Sequence, residues 1–225
     1  EFWKSEIFDS SLILGIGAVA SGFVVSGSLP LIEKGFDVTT NVGLLEWSDP
    51  NKPVLQRMLK EAPGTYHHSM IVGSLAADAA EAVGANALLA RVSAYYHDIG
   101  KLIKPDYFIE NLRPDEKNKH DNLSPTMSSL IITAHTRVGV DLAMRYGLPQ
   151  VVRDVILEHH GTTRVEYFYR RAQHMSPDGE EVSAEAFRYR GPQPQSLEAA
   201  IVMLCDSVEG ATRAMRDMPP QKVGA

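Results

Sequence analysis

The sequence predicts an all-α fold, in which a helical bundle follows an N-terminal helix long enough to cross a membrane. Apolar residues recur at steps of three and four in one segment after another beyond Tyr66, as in helices with one buried face. Residues that start and stop helices, such as Ser124-Pro125 and Gly161, stand at the ends of these segments. A separate stretch, from Ser10 to Ile32, contains no charged residue.

Composition narrows the classes of function. The chain has 225 residues and a formal net charge of −6, which is enough length for one domain with an appendage and a sizeable buried core. Because the balance is acidic and no basic surface run is present, a nucleic-acid polymer is not expected as a partner. Cys205 is the only cysteine, which excludes an internal disulfide and fits a reducing compartment.

The uncharged N-terminal stretch is about as long as a helix must be to cross the hydrocarbon core of a bilayer. It contains several glycines and serines, which membrane helices use for close packing. The alternatives are a buried core helix and a cleaved secretory signal. The signal is disfavoured because no small-x-small cleavage site leads into an obvious mature start. The sequence therefore predicts a transmembrane helix in residues 1–32, with the membrane as a partner.

Charged and turn-forming residues return after this helix. Residues 33–65 are predicted to form a juxtamembrane linker with a short amphipathic helix from Val54 to Glu61, which Pro63-Gly64 closes. Residues 66–218 form the helical domain. Residues 219–225, which begin with two prolines, form a tail.

The first two helices of the domain carry candidate metal ligands. On the helix from about Tyr66 to Val83, His68 lies on the apolar stripe, whereas His67 lies on the more polar side. The next helix, from about Asn86 to Ile99, leads into His97-Asp98-Ile99-Gly100-Lys101. Histidine supplies an imidazole to a borderline metal, and an adjacent aspartate can bridge two cations through its two oxygens. Gly100 is expected to end the helix, so that Lys101 turns back over the same site.

Two later helices add further histidines. The helix that follows Ser124-Pro125 carries His135 on its apolar face, where a lone histidine is more often a hydrogen-bonded core residue than a ligand. The next helix favours the ligand role, because His159 and His160 both continue its apolar rows. Neighbouring helix residues point about 100° apart, so adjacent histidines converge only on an ion in the wedge between them.

The last helix, which begins after Ser196, places Asp206 at the edge of its apolar row. A carboxylate in this position is unfavourable unless it is paired or bound to a metal. The expected core row of this helix is Leu197, Ile201, Leu204, Val208 and Ala211.

The candidate ligands offer only nitrogen and oxygen donors. Their number suits two octahedral first-row ions that share a carboxylate, and the absence of cysteine argues against a structural zinc site. The complete set is His68, His97, Asp98, His135, His159, His160 and Asp206.

The order of these residues resembles the signature of the HD-domain metal-dependent phosphohydrolases, which is a histidine, then His-Asp, then a distant aspartate. His135 and the His159-His160 pair resemble the two-metal phosphodiesterase branch of that superfamily, shared with the HD-GYP enzymes. Closer still is the seven-transmembrane HD family of PgpH-type cyclic di-AMP phosphodiesterases, whose last membrane helix the uncharged stretch resembles. The strings that carry this resemblance are Ala62–Ser69, Ala94–Lys101, Phe108–Asn111, His159–Thr162 and Gly191–Gln195.

The resemblance implies an HD-domain helical bundle around a two-metal site that opens cyclic di-AMP to linear pApA. Asp98 would be shared by both ions. One ion would also take His68, His97 and Asp206, and the other His135, His159 and His160. Two closely spaced ions would activate a hydroxide for in-line attack on phosphorus.

The same resemblance implies roles for residues around the metals. Asp98 and Lys101 would be catalytic, with Lys101 neutralising charge on the phosphorane or assisting the leaving oxygen. The alternative for Lys101 is a solvated lysine that is stabilised by the helix dipole. The implied substrate contacts are Lys101, Asn111, His120 and Thr162.

Some choices stay open at this stage. The ligand set suits manganese, iron, cobalt or zinc, with manganese or iron expected. Lys119 and Arg190 stand where the family usually has prolines, which leaves the nearby substrate contacts open. The alternative functions are hydrolysis of another nucleotide or cyclic dinucleotide, and non-catalytic nucleotide sensing, which the intact ligand set disfavours. The helical domain is expected in the cytoplasm at the cell membrane, and membrane anchoring is compatible with a homodimer.

Overall fold

The computed structural model describes residues 2–36, 38–113, 115–176 and 181–216. Contacts divide the chain into a first unit up to residue 43 and a second unit from residue 44 onward. The described residues contain no strand, only an isolated antiparallel bridge between Arg164 and Arg188. The predicted tail at 219–225 lies outside the described residues. The helices are α1 (Phe2–Phe36), α2 (Asn41–Trp47), α3 (Pro53–Glu61), α4 (Pro63–Ala82), α5 (Ala87–Tyr96), α6 (Pro125–Tyr146), α7 (Gln150–Glu158), α8 (Glu166–Met175) and α9 (Leu197–Arg216). The all-α prediction is confirmed.

Helix α1 has the length and composition of a membrane span from Ile7 to Glu33, and none of that span is buried within the chain. Large apolar side chains such as Leu14 and Val24 are 74% and 71% exposed. Exposing so many apolar side chains to water is unfavourable, and a bilayer would remove them from water. The exposure of α1 therefore favours a membrane span over the alternative of a core helix.

The second unit begins its core with α3 and α4. Val54, Leu55 and Met58 of α3 are fully buried. Pro63 does not close α3 as expected but occupies the first turn of α4, where its missing N–H is not needed. Gly64 is required for close approach, because a Cβ at this position would lie 1.8 Å from the carbonyl oxygen of Glu110.

The chain between α5 and α6 contains short 3₁₀ helices, which the sequence did not indicate. Helix α5 ends at Tyr96, and a 3₁₀ helix then runs from Ile99 to Ile103. Gly100 therefore does not terminate a helix in the way predicted. It is needed because a Cβ there would lie 1.9 Å from the carbonyl oxygen of His135 on α6. The remaining 3₁₀ helices are Pro105–Tyr107, Ile109–Asn111, Lys119–Asn122 and, further on, Ala184–Phe187.

The predicted ends of α6 and α7 are largely confirmed. The Ser124 hydroxyl caps α6 by accepting a hydrogen bond from the backbone N–H of Met127, at 3.2 Å. Gly161 adopts a positive φ of 52° directly after the two histidines. Those histidines lie just beyond the last residue of α7, Glu158. Helix α8 was not predicted, because most of its residues are polar and Phe168 is its only buried residue.

The predicted core row of α9 is wrong. Leu197, Leu204 and Val208 are 54%, 66% and 56% exposed, and of the five predicted residues only Ile201 is buried. The face that packs inward carries Ala199, Val202 and Glu209 instead. Small side chains allow α9 to approach the other helices closely, and the inward face also carries polar groups that belong to the site.

Candidate metal centre

Five elements bring the predicted ligands together in the second unit. His68 lies on α4, His97 and Asp98 follow α5, and His135 lies on α6. His159 and His160 follow α7, and Asp206 lies on α9. The donor atoms of Asp98, His135, His159 and His160 lie within 4.8 Å of one another, as do those of His68, His97 and Asp98, and those of His97, His159 and Asp206. The structure therefore collects all seven predicted ligands into one buried cluster.

Asp98 lies between the two halves of this cluster. Its Oδ1 is 3.2 Å from Nε2 of His135 and 3.7 Å from Nε2 of His159. Its Oδ2 is 3.3 Å from Nε2 of His97 and 3.6 Å from Nε2 of His68. Each carboxylate oxygen thus faces a different pair of imidazoles, which is the arrangement that a bridging carboxylate requires.

Three of the histidine rings are oriented by their own helix turns. Nδ1 of His97 lies 2.7 Å from the carbonyl oxygen of Ala94, three residues earlier. His135 makes the same contact with the carbonyl oxygen of Ile132 at 2.6 Å, and His159 with that of Ile156 at 2.9 Å. A carbonyl oxygen only accepts, so Nδ1 carries a proton in each ring and Nε2 is directed into the cluster.

His68 is oriented by a carboxylate that the sequence prediction did not include. Its Nδ1 contacts Oε2 of Glu209 at 2.5 Å, while its Nε2 lies 2.9 Å from Oδ1 of Asp206. Arg213 donates to Oε1 of Glu209 at 2.7 Å and fixes that carboxylate in turn. Glu209 lies three residues after Asp206, on the same side of α9, so helical spacing from Asp206 was the available signal.

His160 is held by a different contact. Its ring lies against Tyr189, with ring centres 4.2 Å apart, and its Nδ1 is 3.7 Å from Oδ2 of Asp206. Tyr189 is buried, and its ring also meets that of His135 edge to face at 5.9 Å. Nothing in the local sequence pattern indicated Tyr189, because the segment around it is not helical.

Burial and neighbouring charges shift the pKa values of the histidines in this cluster in different directions. Burial and the neighbouring His160 keep the pKa of His159 well below its ordinary value, and burial together with His135 lowers the pKa of His160 to about 3. Both rings are therefore neutral, which is the form that binds a metal. Burial opposes a charge on His97, but Asp98 and Asp206 outweigh it and raise the pKa of that ring to about 10. Metal binding at His97 would displace a proton.

Lys101 extends over the cluster from the 3₁₀ helix. Its Nζ lies 2.6 Å from Oδ2 of Asp98 and 2.7 Å from Oε1 of Glu110, and its side chain is only 14% exposed. Burial alone would lower the pKa of Lys101, but the two carboxylates outweigh burial and raise it. The ammonium is therefore a fixed positive charge in the site, and the alternative of a solvated helix-end lysine does not describe its surroundings.

The predicted substrate contacts other than Lys101 occupy three different settings. Asn111 uses its amide on Thr65, with hydrogen bonds of 3.0 and 2.9 Å. His120 is 4% exposed, and its Nε2 lies 2.9 Å from the carbonyl oxygen of Tyr107. Thr162 lies exposed after the histidine pair, and its carbonyl oxygen accepts a hydrogen bond from Arg188. Their contact with substrate stays a prediction.

The residues present fit a metal-binding role. Within the described ranges, Nε2 of His97 and Oδ1 of Asp98 are buried and have no hydrogen-bond partner. Buried polar atoms are rarely left unsatisfied, and these two point into a cluster of nitrogen and oxygen donors. A cavity of about 310 Å³ adjoins the cluster, lined by His68, Lys101, Glu110, Asp206, Glu209 and Arg213 among others.

A helical fold with histidine and aspartate donors arranged in this way is suited to a domain that binds divalent metal ions. The HD domain family matches residues 65–211, so the chain belongs to the HD domain family. HD domains bind divalent metal ions, and the described cluster supplies the donors for them.

Two relatives of this chain carry the same name, that of a cyclic-di-AMP phosphodiesterase. The chain is 45% identical over 213 residues to cyclic-di-AMP phosphodiesterase PgpH of Bacillus subtilis, covering 94% of this chain and 29% of the relative. It is 44% identical to the protein of the same name from Listeria monocytogenes, covering 93% of this chain and 28% of the relative. The chain thus spans less than a third of the length of these curated relatives.

A solved structure has the same fold. The crystal structure of the HD domain of L. monocytogenes phosphodiesterase PgpH in complex with cyclic-di-AMP superposes with a TM-score of 0.69 at 47% identity. The match covers 74% of this chain and 76% of the solved one. The all-α HD-domain fold predicted from the motifs is therefore confirmed.

Proposed function

We propose that this chain hydrolyses cyclic di-AMP to linear pApA at a centre of two divalent metal ions. The observation that carries the proposal is the position of Asp98, whose two oxygens face different pairs of imidazoles. The relatives named as cyclic-di-AMP phosphodiesterases and the solved PgpH complex support the choice of substrate.

The geometry supports a division of the ligands between two ions. Asp98 would bridge the two positions. Oδ2 of Asp98 faces the position of His68, His97 and Asp206, and Oδ1 faces that of His135 and His159. His160, whose donor atom groups with His135 and His159, completes the second position. Manganese or iron suits this all-nitrogen and oxygen donor set.

Two bound ions would supply an activated water and charge neutralisation at phosphorus. The protein residues do the remaining work. Lys101 places an ammonium beside the bridging carboxylate, where it can stabilise the negative charge that develops on the phosphoryl oxygens or on the leaving oxygen. Glu110 holds Lys101 in that position through its second ion pair. Burial of the cluster excludes bulk water and strengthens these charge interactions.

The proposal also places the chain in the cell. Helix α1 would anchor it in the membrane, and the second unit would lie in the cytoplasm, where a reduced Cys205 is expected. A homodimer stays a prediction. Protease protection in inverted vesicles tests the orientation, and light scattering of the detergent-solubilised chain tests the oligomeric state.

The deciding experiment compares hydrolysis of cyclic di-AMP and cyclic di-GMP with added manganese or ferrous iron, for the parent and for Asp98→Ala. We expect pApA from cyclic di-AMP alone and no turnover by the variant, which should also lose bound metal. Asp106→Ala, which removes an exposed carboxylate of a nearby 3₁₀ helix, is the matched control and should keep the parent activity. Two bound metals without turnover of either substrate would contradict the proposal and favour a sensor.

A further inference from the structure

His160 differs from the other four histidines of the cluster in how its ring is held. In those four rings, Nδ1 lies within 2.9 Å of a carbonyl or carboxylate oxygen. Nδ1 of His160 lies 3.7 Å from Oδ2 of Asp206, which is too far for a hydrogen bond. The side chain of His160 is 23% exposed, against 6% or less for the other four. Across the described residues, no hydrogen bond fixes the orientation of this ring.

Stacking holds the ring of His160 instead. Its centre lies 4.1 Å from that of His159 and 4.2 Å from that of Tyr189. The planes of His160 and Tyr189 are only 31° apart, so these two rings meet closer to face to face than edge to face. His135 meets the same ring edge to face, with centres 5.2 Å apart. Of these three neighbouring rings, Tyr189 is the one that has no nitrogen to offer a metal.

Tyr189 is itself fixed by a short ladder of backbone hydrogen bonds. Its N–H donates to the carbonyl oxygen of Thr163 at 2.9 Å, and the N–H of Val165 donates to that of Phe187 at 2.8 Å. Tyr189 and Phe187 are both buried. Because Thr163 closely follows the histidine pair, the ladder ties the stacking ring to the segment that carries His160.

The two proposed metal positions differ in charge and in the orientation of their ligands. The first position is that of Asp206 and the second is that of His160, and both share Asp98. The first has a carboxylate of its own, and both of its histidines are oriented through Nδ1. The second has only the shared carboxylate, and His160 is not oriented by a hydrogen bond. Charge and preorganisation both favour binding, so the first position should hold its ion more tightly.

We propose that Tyr189 is a positioning residue for His160 and that its ring sets the occupancy of the second metal position. Without this ring, no ring contact or hydrogen bond from a described residue outside the ligand set holds the imidazole. An ion at the second position then has to order a ring that samples several orientations, and the lost entropy weakens binding. The inference rests on the proposed function, because it assumes that the ligands are divided between two ions.

Stepwise loading with Mn²⁺ tests the proposal on the detergent-solubilised full chain. Metal-free protein is titrated by calorimetry, while electron paramagnetic resonance distinguishes an isolated ion from a coupled pair. The parent should bind two ions in two steps, with the coupled spectrum appearing in the second step. Tyr189→Leu should raise the Kd of the second step by roughly tenfold or more and leave that of the first within about twofold. Tyr189→Phe keeps the flat ring and should restore both steps.

Tyr169→Leu is the matched control. Tyr169 packs on Phe187 of the same ladder, with ring centres 5.7 Å apart, and makes no ring contact or hydrogen bond with a ligand among the described residues. This variant should bind both ions as the parent does. An equal loss of both steps in Tyr189→Leu and Tyr169→Leu would make the effect one of packing and overturn the positioning role. A folded Tyr189→Leu variant with both Kd values of the parent would overturn it as well.

A double-mutant cycle shows whether Tyr189 acts through the imidazole. In a His160→Ala background, the second step is already weakened, and adding Tyr189→Leu should change its Kd by less than about twofold. A further loss as large as that in the parent background would overturn the inference. If Tyr189→Leu does not fold, Tyr189→Met, which fills the space without a flat ring, takes its place with the same expectations. A coupled spectrum from the first equivalent of Mn²⁺ in the parent would overturn the inference without any substitution.

The outcomes distinguish this inference from the proposed function. Turnover of cyclic di-AMP by a parent whose Tyr189→Leu variant binds both ions equally well would overturn the positioning role and leave the hydrolase intact. A parent that binds two ions in separate steps, the second dependent on Tyr189, without hydrolysing either cyclic dinucleotide would refute the hydrolase and support the positioning role.

Discussion

The Nζ atom of Lys101 lies 2.6 Å from Oδ2 of Asp98, on the carboxylate that faces both groups of histidines. A buried ammonium in direct contact with this carboxylate would compete with a bound metal ion for its negative charge. It also supplies a positive charge where a phosphate would approach. Removal of this charge should therefore favour metal binding but slow catalysis.

Lys101→Met should lower kcat by about a hundredfold, because a fixed charge that stabilises the transition state is lost. The metal content should stay equal to or above that of the parent, since Asp98 loses a competing cation. Steady-state kinetics at saturating manganese, together with elemental analysis, measure both quantities. Lys60→Met, on the exposed end of α3, is the control. An unchanged kcat with altered metal content would make Lys101 a structural partner of Asp98 only.

Glu209→Gln should weaken metal binding by about 10-fold to 100-fold without abolishing it. The carboxylate orients His68 through Nδ1 and raises the basicity of Nε2, and the loss of such partners typically costs that much affinity. Competition with a fluorescent chelator measures the change. Glu198→Gln, which removes one charge from the same helix away from the cluster, should leave metal affinity unchanged. Equal affinities for the two variants would argue against the orienting role.

Chelation should destabilise the second unit. The cluster places Asp98, Asp206 and Glu209 close together, so bound cations relieve repulsion between like charges. At a free metal concentration of 100 times Kd, binding stabilises the folded state by about 2.7 kcal/mol, or roughly 5–10 °C in Tm. Calorimetric scans with manganese and with a chelator measure this shift. Asp98→Asn should lose most of it; a full shift in that variant would place the stabilising metal elsewhere.

Gly100→Ala should destabilise the fold by about 2 kcal/mol or more, because its Cβ would collide with the backbone of α6 near His135 and Gly139. Gly210→Ala gives the opposite expectation. That position has open space around a Cβ and lies within α9, so alanine should stabilise the helix by about 1 kcal/mol. Urea unfolding followed by circular dichroism separates the two signs. Similar effects of both substitutions would contradict the close approach at Gly100.

Two arginines in α1 should prevent its integration into the membrane. Val19→Arg combined with Val24→Arg replaces exposed apolar side chains near the middle of the span, and each arginine costs about 2.5–3.5 kcal/mol at the centre of a membrane helix. Extraction of membranes with carbonate measures integration. Val19→Ile with Val24→Ile is the conservative control. Retention of the arginine variant in the extracted membrane would mean that α1 is not the anchor.

The candidate metal centre could be predicted from the sequence because its histidines share one signal. His68, His135 and the pair at 159 and 160 fall on apolar helical rows, where a polar side chain needs a partner. The residues that surround these ligands could not be predicted in the same way. Glu110 and Tyr189 reach the site from 3₁₀ or irregular segments, which carry no periodicity.

The helices could be predicted where buried residues recur with the period of an α-helix. Helices α4 to α7 bury a regular face, and their approximate positions follow from it. The predicted core row of α9 is wrong because its larger apolar residues, among them Leu204 and Val208, are exposed, while small residues and Glu209 face inward. Hydrophobicity alone does not distinguish these faces, since a close helix contact selects for small side chains.

The contact of each Nδ1 atom with a carbonyl oxygen three residues earlier has a kinetic consequence. His97 and His159 are aimed by the last turns of their own helices and not by distant side chains. A ring aimed in this way is released as soon as that one turn frays. Such local openings require less free energy than global unfolding. The exchange rate of bound metal should therefore follow the fraying of individual helix ends, and metal should leave a protein that is otherwise still folded.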